Sequence, residues 1–144
     1  MPPNSGNKSN NAPISMTETS WLLDTSILID ILRGQVTARN WVDSLALSAR
    51  VISVITSAEL LAGCRNQREQ HAVERELNLY TTAWLDETIS QTAIDLYKRF
   101  HLSHGVGFLD CLIAATALRH GYRLATLNLR HFTILPGVQA ERPY

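Results

Sequence analysis

The stretch WLLDTSILID, residues 21–30, decides how the fold is read. Trp21, Leu22 and Leu23 follow one another without polar alternation, as in a short strand covered on both faces, the usual state of a strand in a parallel sheet. Asp24 stands where that strand ends, and an unpaired carboxylate buried there would be costly. A helical run, TSILIDILRG, follows. The same succession recurs along the chain: VISVI, then TSAELLAGCRN; a polar amphipathic helix across REQHAVERELNLY; a brief strand at AWLD. Next come TISQTAIDLYKRF, with Ile89, Ala93, Leu96, Tyr97 and Phe100 at helical spacing, then DCLIAATALRH, a turn at Gly121 and the strand YRLAT. Alternation of this kind predicts an α/β domain around a mainly parallel sheet, joined by right-handed crossovers.

With 144 residues, 45% of them hydrophobic and 18% charged, the chain suits one compact domain. Residues 1–20, rich in Pro, Asn, Ser, Gly and Thr, cannot bury enough apolar surface to repay ordering and are expected to form a disordered extension before a domain over 21–144. No apolar run approaches the roughly 20 residues of a membrane span, and the N-terminus lacks the pattern of a signal peptide, so the chain is expected in the cytoplasm. Cys64 and Cys111 fall beside apolar residues in helical segments and read as small core residues. Lys+Arg and Asp+Glu are equal at 13 each, so any attraction to nucleic acid is local. The cations are nearly all arginine, whose planar fork suits phosphate or carboxylate.

In an open parallel sheet, functional groups collect beyond the carboxyl ends of the strands. Asp24 ends the first strand, Glu59 lies in the first turn after VISVI, and Asn128 follows YRLAT by two residues. Asp110 opens the helix that Gly121 joins to YRLAT, which places it at the same edge. Each acid also has a plainer explanation: Asp24 as a helix cap, Glu59 as half of a capping box with Thr56, Asp110 as a complement to a helix dipole. Asp110 is the hardest to explain so, because Ile113, Ala114 and Ala117 put it on the apolar face of its helix. Carboxylates at one edge repel by about 4 kcal/mol per pair at 4 Å and an effective dielectric of 20. No Lys or His is placed at these strand ends to offset that. Oxygen ligands alone favour Mg²⁺ or Mn²⁺ over zinc, and such a site suits phosphodiester hydrolysis.

These residues carry a resemblance. LLDTSILIDILRG, SAELLAG, FLDCLIAATALRHGYRLATLNLRHF and ILPGV together resemble the PIN-domain ribonucleases and, within them, the VapC-type toxins of prokaryotic toxin-antitoxin pairs. The resemblance implies a PIN-like three-layer α/β/α fold, Mg²⁺ or Mn²⁺ as cofactor, and Asp24, Glu59 and Asp110 as metal ligands. It makes Ser26 a group that orients a carboxylate or water. At the family's fourth acidic position this chain offers only Asn128 or His131. Asn128 can coordinate through its carbonyl or hold a water; His131 is a general-base or packing residue. Structured RNA such as transfer RNA, a cognate antitoxin and a homodimer are the implied partners. A housekeeping RNA-processing nuclease and a non-catalytic RNA-binding domain are the alternatives.

Overall fold

A computed structural model describes residues 19–144. The expected disordered extension lies, apart from Thr19 and Ser20, outside the described residues. Five strands, β1 (Trp21–Leu23), β2 (Arg50–Ser53), β3 (Thr81–Ala83), β4 (Arg123–Ala125) and β5 (Ala140–Glu141), form one sheet in the order β3-β2-β1-β4-β5. Every pairing is parallel. Between the strands run α1 (Thr25–Leu32), α2 (Val36–Asp43), α3 (Val54–Ala62), α4 (Gln67–Leu77), α5 (Glu87–His104), α6 (Phe108–His120) and α7 (Leu129–Phe132). Among the described residues no helix is long and apolar enough to cross a membrane.

The unalternating strands are explained by two cores. Leu22, Val51 and Leu124 pack on one face against Ile89, Ala93 and Leu96 of α5 and the buried run Cys111–Ala117 of α6. Their neighbours Leu23, Ile52 and Ala125 pack on the other face against Ile27, Leu28 and Ile31 of α1, Val42 of α2, Leu60 of α3 and Val73 of α4. Successive strand residues point to opposite faces, so covering both faces makes the adjacent pairs Leu22–Leu23, Val51–Ile52 and Leu124–Ala125 apolar. The result is the expected three-layer α/β/α arrangement. Phe132 is fully buried in the first of these cores. Phe132→Ala should cost about 3–5 kcal/mol, read as a lower urea midpoint at unchanged slope.

Local chemistry shifts several boundaries from those the sequence suggests. β2 stops at Ser53, whose hydroxyl accepts from Ile55 N at 3.0 Å, so Val54 and Ile55 of VISVI already belong to α3. β3 is Thr81–Ala83 rather than AWLD, and Trp84 beyond it is exposed. Gly34, at φ 83, ends the first helical run and allows a separate helix α2, which buries only Ala38 and Val42 and so carries a weak apolar signal. The expected turn at Gly121 is present, with φ 71.

The strand order positions the site. From β1 the chain builds outward through β2 and β3 on one side, then returns to add β4 and β5 on the other. Connections leaving the carboxyl ends of β1 and β4 therefore diverge, and the crevice between them is the switch point where such sheets bind ligands.

Candidate active site

Asp24 follows β1 at that crevice and is 4% exposed. Its backbone N–H donates to Ala125 O at 2.9 Å, locking the ends of β1 and β4 together. Two hydroxyls converge on one carboxylate oxygen: Thr126 Oγ1 donates to Oδ2 at 2.8 Å and Ser26 Oγ donates to Oδ2 at 3.0 Å. Each hydroxyl is fixed in turn by a backbone N–H, Asn128 N to Thr126 Oγ1 at 2.9 Å and Leu127 N to Ser26 Oγ at 3.1 Å. Each hydroxyl thus spends its one proton on Asp24 and a lone pair on the backbone N–H. Asp24 occupies the N-cap position of α1 but makes no side-chain capping bond. The helix-cap explanation of this residue is therefore replaced by a carboxylate held across two strands.

Asp110 stands in the first turn of α6 on the same side as the buried Ile113, Ala114 and Ala117. Burial, and next the charge of Asp24, push its carboxyl above the usual range, while His131 acts in the opposite sense. His131 Nδ1 lies 3.1 Å from Asp110 Oδ2. The expectation that no histidine serves this edge is thus corrected: the short helix α7 carries His131 back to Asp110, three residues beyond Asn128. Asn128 itself is exposed and makes no side-chain cap bond to α7; its backbone, not its amide, reaches the Asp24 network.

Glu59 is placed differently from expectation. α3 begins at Val54 under a Ser53 cap, so Thr56 is internal and buried, the capping box does not form, and Glu59 falls in the second helical turn. Its carboxylate instead accepts from Thr25 Oγ1 at 2.6 Å, and Thr25 Oγ1 lies 3.0 Å from Thr56 Oγ1. Glu59 borders a groove of about 560 Å³ lined also by Ile29, Leu32, Arg33, Leu60 and Cys64. This groove lies between α1, α3 and α4, beside Glu59 rather than over the Asp24–Asp110 pair. Among the described residues no three of His, Cys, Asp and Glu gather as a metal-holding group. The structure brings Asp24 and Asp110 into electrostatic contact and ties Glu59 to Asp24 only through the neighbouring Thr25.

The donor chemistry of this pair fits a hard cation. Mg²⁺ commonly takes one or two carboxylates, keeps several waters and leaves room for phosphate. Asp24 Oδ1 takes neither hydroxyl bond, so one oxygen of a rigidly held carboxylate remains for a ligand. Cys111, next to Asp110, offers no thiolate, since burial pushes its thiol up to about 11. Sequence reasoning missed Thr126 and Thr25. Thr126 is fully buried at the end of β4, which the sequence gives no means of telling. Thr126→Val keeps the volume but removes one donor to Asp24 and the acceptor of Asn128 N–H. It should weaken Mn²⁺ binding about 10–100-fold and cost about 1–3 kcal/mol, measured by calorimetric titration and denaturant unfolding.

Residues 21–135 match the PIN domain. Ribonuclease VapC10 of Mycobacterium tuberculosis strain H37Rv is 41% identical over 113 residues, covering 77% of this chain and 84% of that protein. Ribonuclease VapC19 of the same strain is 36% identical over 121 residues, covering 82% and 96%. A toxin-antitoxin complex from Klebsiella pneumoniae has a chain that superposes with a TM-score of 0.73 at 26% identity, over 87% of this chain and 98% of that one. With the parallel sheet, the switch-point crevice and the Asp24–Asp110 pair, these matches show that the chain belongs to the PIN-domain family.

Proposed function

We propose that this chain is an Mg²⁺- or Mn²⁺-dependent endoribonuclease and the toxin of a toxin-antitoxin pair. The observation that carries the hydrolytic reading is Asp24, buried at the switch point and held by two hydroxyls beside Asp110. The RNA substrate and the antitoxin are drawn from the likeness to the VapC ribonucleases and to the toxin-antitoxin complex. Asp24 and Asp110 would hold a divalent ion, which would supply Lewis acidity and offset developing charge at a phosphodiester. Ser26 and Thr126 keep Asp24 oriented, so the carboxylate needs no reorganisation when substrate arrives. His131 restrains Asp110 in the same way from α7. Glu59, aligned by Thr25, extends the acidic edge toward the groove.

That groove suits the inhibitor. Ile29, Leu32, Leu60 and Val73 offer apolar contacts for one face of an amphipathic helix, with Arg33 and Arg65 as charged lining. An arginine from such a partner would satisfy the Asp24–Asp110 pair in place of the cation.

The test has two arms. The full chain is incubated with total RNA in chelator, then with Mg²⁺, Mn²⁺ or Ca²⁺ restored. Cleavage should vanish in chelator and return with Mg²⁺ or Mn²⁺ but not with Ca²⁺, which prefers higher coordination; cleavage in chelator would sink the mechanism. The chain is also expressed alone and with the product of the adjacent gene. Growth arrest relieved by a co-purifying neighbour is expected. Unimpaired growth with active protein would assign the chain to housekeeping RNA processing.

A further inference from the structure

A second hollow, of about 450 Å³, lies beside the acidic pair and is lined by Leu127, Asn128, Leu129, Arg130, His131 and Arg142. Resting on the endoribonuclease reading above, we propose that this hollow seats a backbone phosphate of the RNA strand next to the phosphodiester that is cut, with Arg142 and Arg130 as its cationic contacts.

The placement follows from the sheet. β5 runs parallel to β4 in the register Ala125↔Glu141, so Arg142 emerges at the same edge and level as Thr126. The loop after β4 then supplies Asn128, and the short helix α7 supplies Arg130. Through His131, bonded to Asp110 at 3.1 Å, the hollow adjoins the acidic pair. A strand laid across the crevice toward β5 would meet it.

The chemistry is selective for an anion. No carboxylate lines the hollow, whereas its rim carries two guanidinium groups, an imidazole and an amide. The chain has no net charge, so attraction of a polyanion depends on such local sites. Arginine binds phosphate through a two-pronged fork that costs least when the fork is already held. Arg142 is held: its Nε donates to the main-chain oxygen of Tyr144 at 3.1 Å. Tyr144 is fixed in turn, its Oη donating to Asp30 Oδ2 of α1 at 2.8 Å. Burial and the Asp30 carboxylate push the Tyr144 hydroxyl up, so it remains a donor across the working range. Arg142 thus reaches the hollow with one nitrogen anchored and its terminal nitrogens left for a ligand. Tyr144 acts as a positioning residue.

The test measures binding without cleavage. The full chain carrying Asp24→Asn is titrated with a short fluorescein-labelled single-stranded RNA across a potassium chloride series without divalent ions. Arg142→Gln and Arg130→Gln should each make the slope of log affinity against log salt shallower by about 0.7, the value for one lost phosphate contact on a single strand. Arg142→Lys should keep the slope and lose affinity several-fold, because charge remains and the fork does not. Tyr144→Phe should likewise keep the slope and weaken binding. Arg119→Gln, at the far end of α6 and paired with Asp86 at 3.4 Å, should change neither.

Unchanged slopes in both glutamine variants, or an equal change in Arg119→Gln, would overturn the proposal. So would unchanged slopes together with lost co-purification of the neighbouring gene product, which would give the hollow to a protein partner. If the native chain cuts no RNA but the two slopes still fall, the phosphate seat stands and the nuclease reading fails.

Discussion

Asp24→Asn is expected to reduce RNA cleavage by ~1,000-fold or more while the protein stays folded. Asparagine has nearly the same shape, and its carbonyl oxygen can still accept from Thr126 and Ser26, so the ties between β1 and β4 survive. What disappears is the negative charge at the crevice and, with it, the attraction for a divalent ion. The activity assay is paired with far-UV circular dichroism and a melting curve. A lost signal with an unfolded variant would mean that Asp24 serves only to hold the two strands together. An intact melt with residual cleavage near the native rate would remove it from the chemistry.

Asp110→Asn should also abolish cleavage, and its stability effect has the opposite sign from most substitutions in a partly buried site. Burial and the neighbouring Asp24 raise the Asp110 carboxyl above its value in the unfolded chain. A raised carboxyl favours the fold fully only below the unfolded value, and that contribution is lost as pH rises through the folded value. At neutral pH the metal-free native protein therefore carries a cost of burying charge, and next a repulsion from Asp24, that the asparagine variant lacks. The variant should melt a few degrees higher near pH 7, and the difference should shrink as pH falls through the folded value. Mg²⁺ should raise the melting temperature of the native chain and leave the variant unmoved. A variant less stable than the native chain at neutral pH without metal would show that the His131 contact outweighs the repulsion.

The sheet and its crevice were legible because both depend on pattern. Trp21–Leu23 and the pair Leu124–Ala125 lack the polar alternation of a half-exposed strand, and a helix after each forces the parallel arrangement. Asp110 was legible because its helix turns it inward with Ile113 and Ala117. Glu59 was misplaced because T-S-A-E matches a capping box locally, whereas the cap in use depends on where β2 stops, and Ser53 competes successfully for that role. Thr126 was invisible for a different reason. Its partner Asp24 lies 102 positions away, and nothing in a threonine after a strand announces what it will meet. The role of Arg142 was equally hidden, since β5 is two residues long and has no periodicity to read.

The tie between residues 24 and 126 also sets the order in which the site can assemble. Ser26 is made with Asp24, yet the second hydroxyl on that carboxylate, Thr126, follows 102 positions later, after β4, one of the two strands that flank β1. At translation rates of about 5–20 residues per second, the nascent polypeptide spends roughly 5–20 seconds with its first acid exposed and its companions not yet made. The groove formed by α1, α3 and α4 is complete well before β4 arrives. A partner seated there during synthesis would meet the chain before its acidic pair had been assembled.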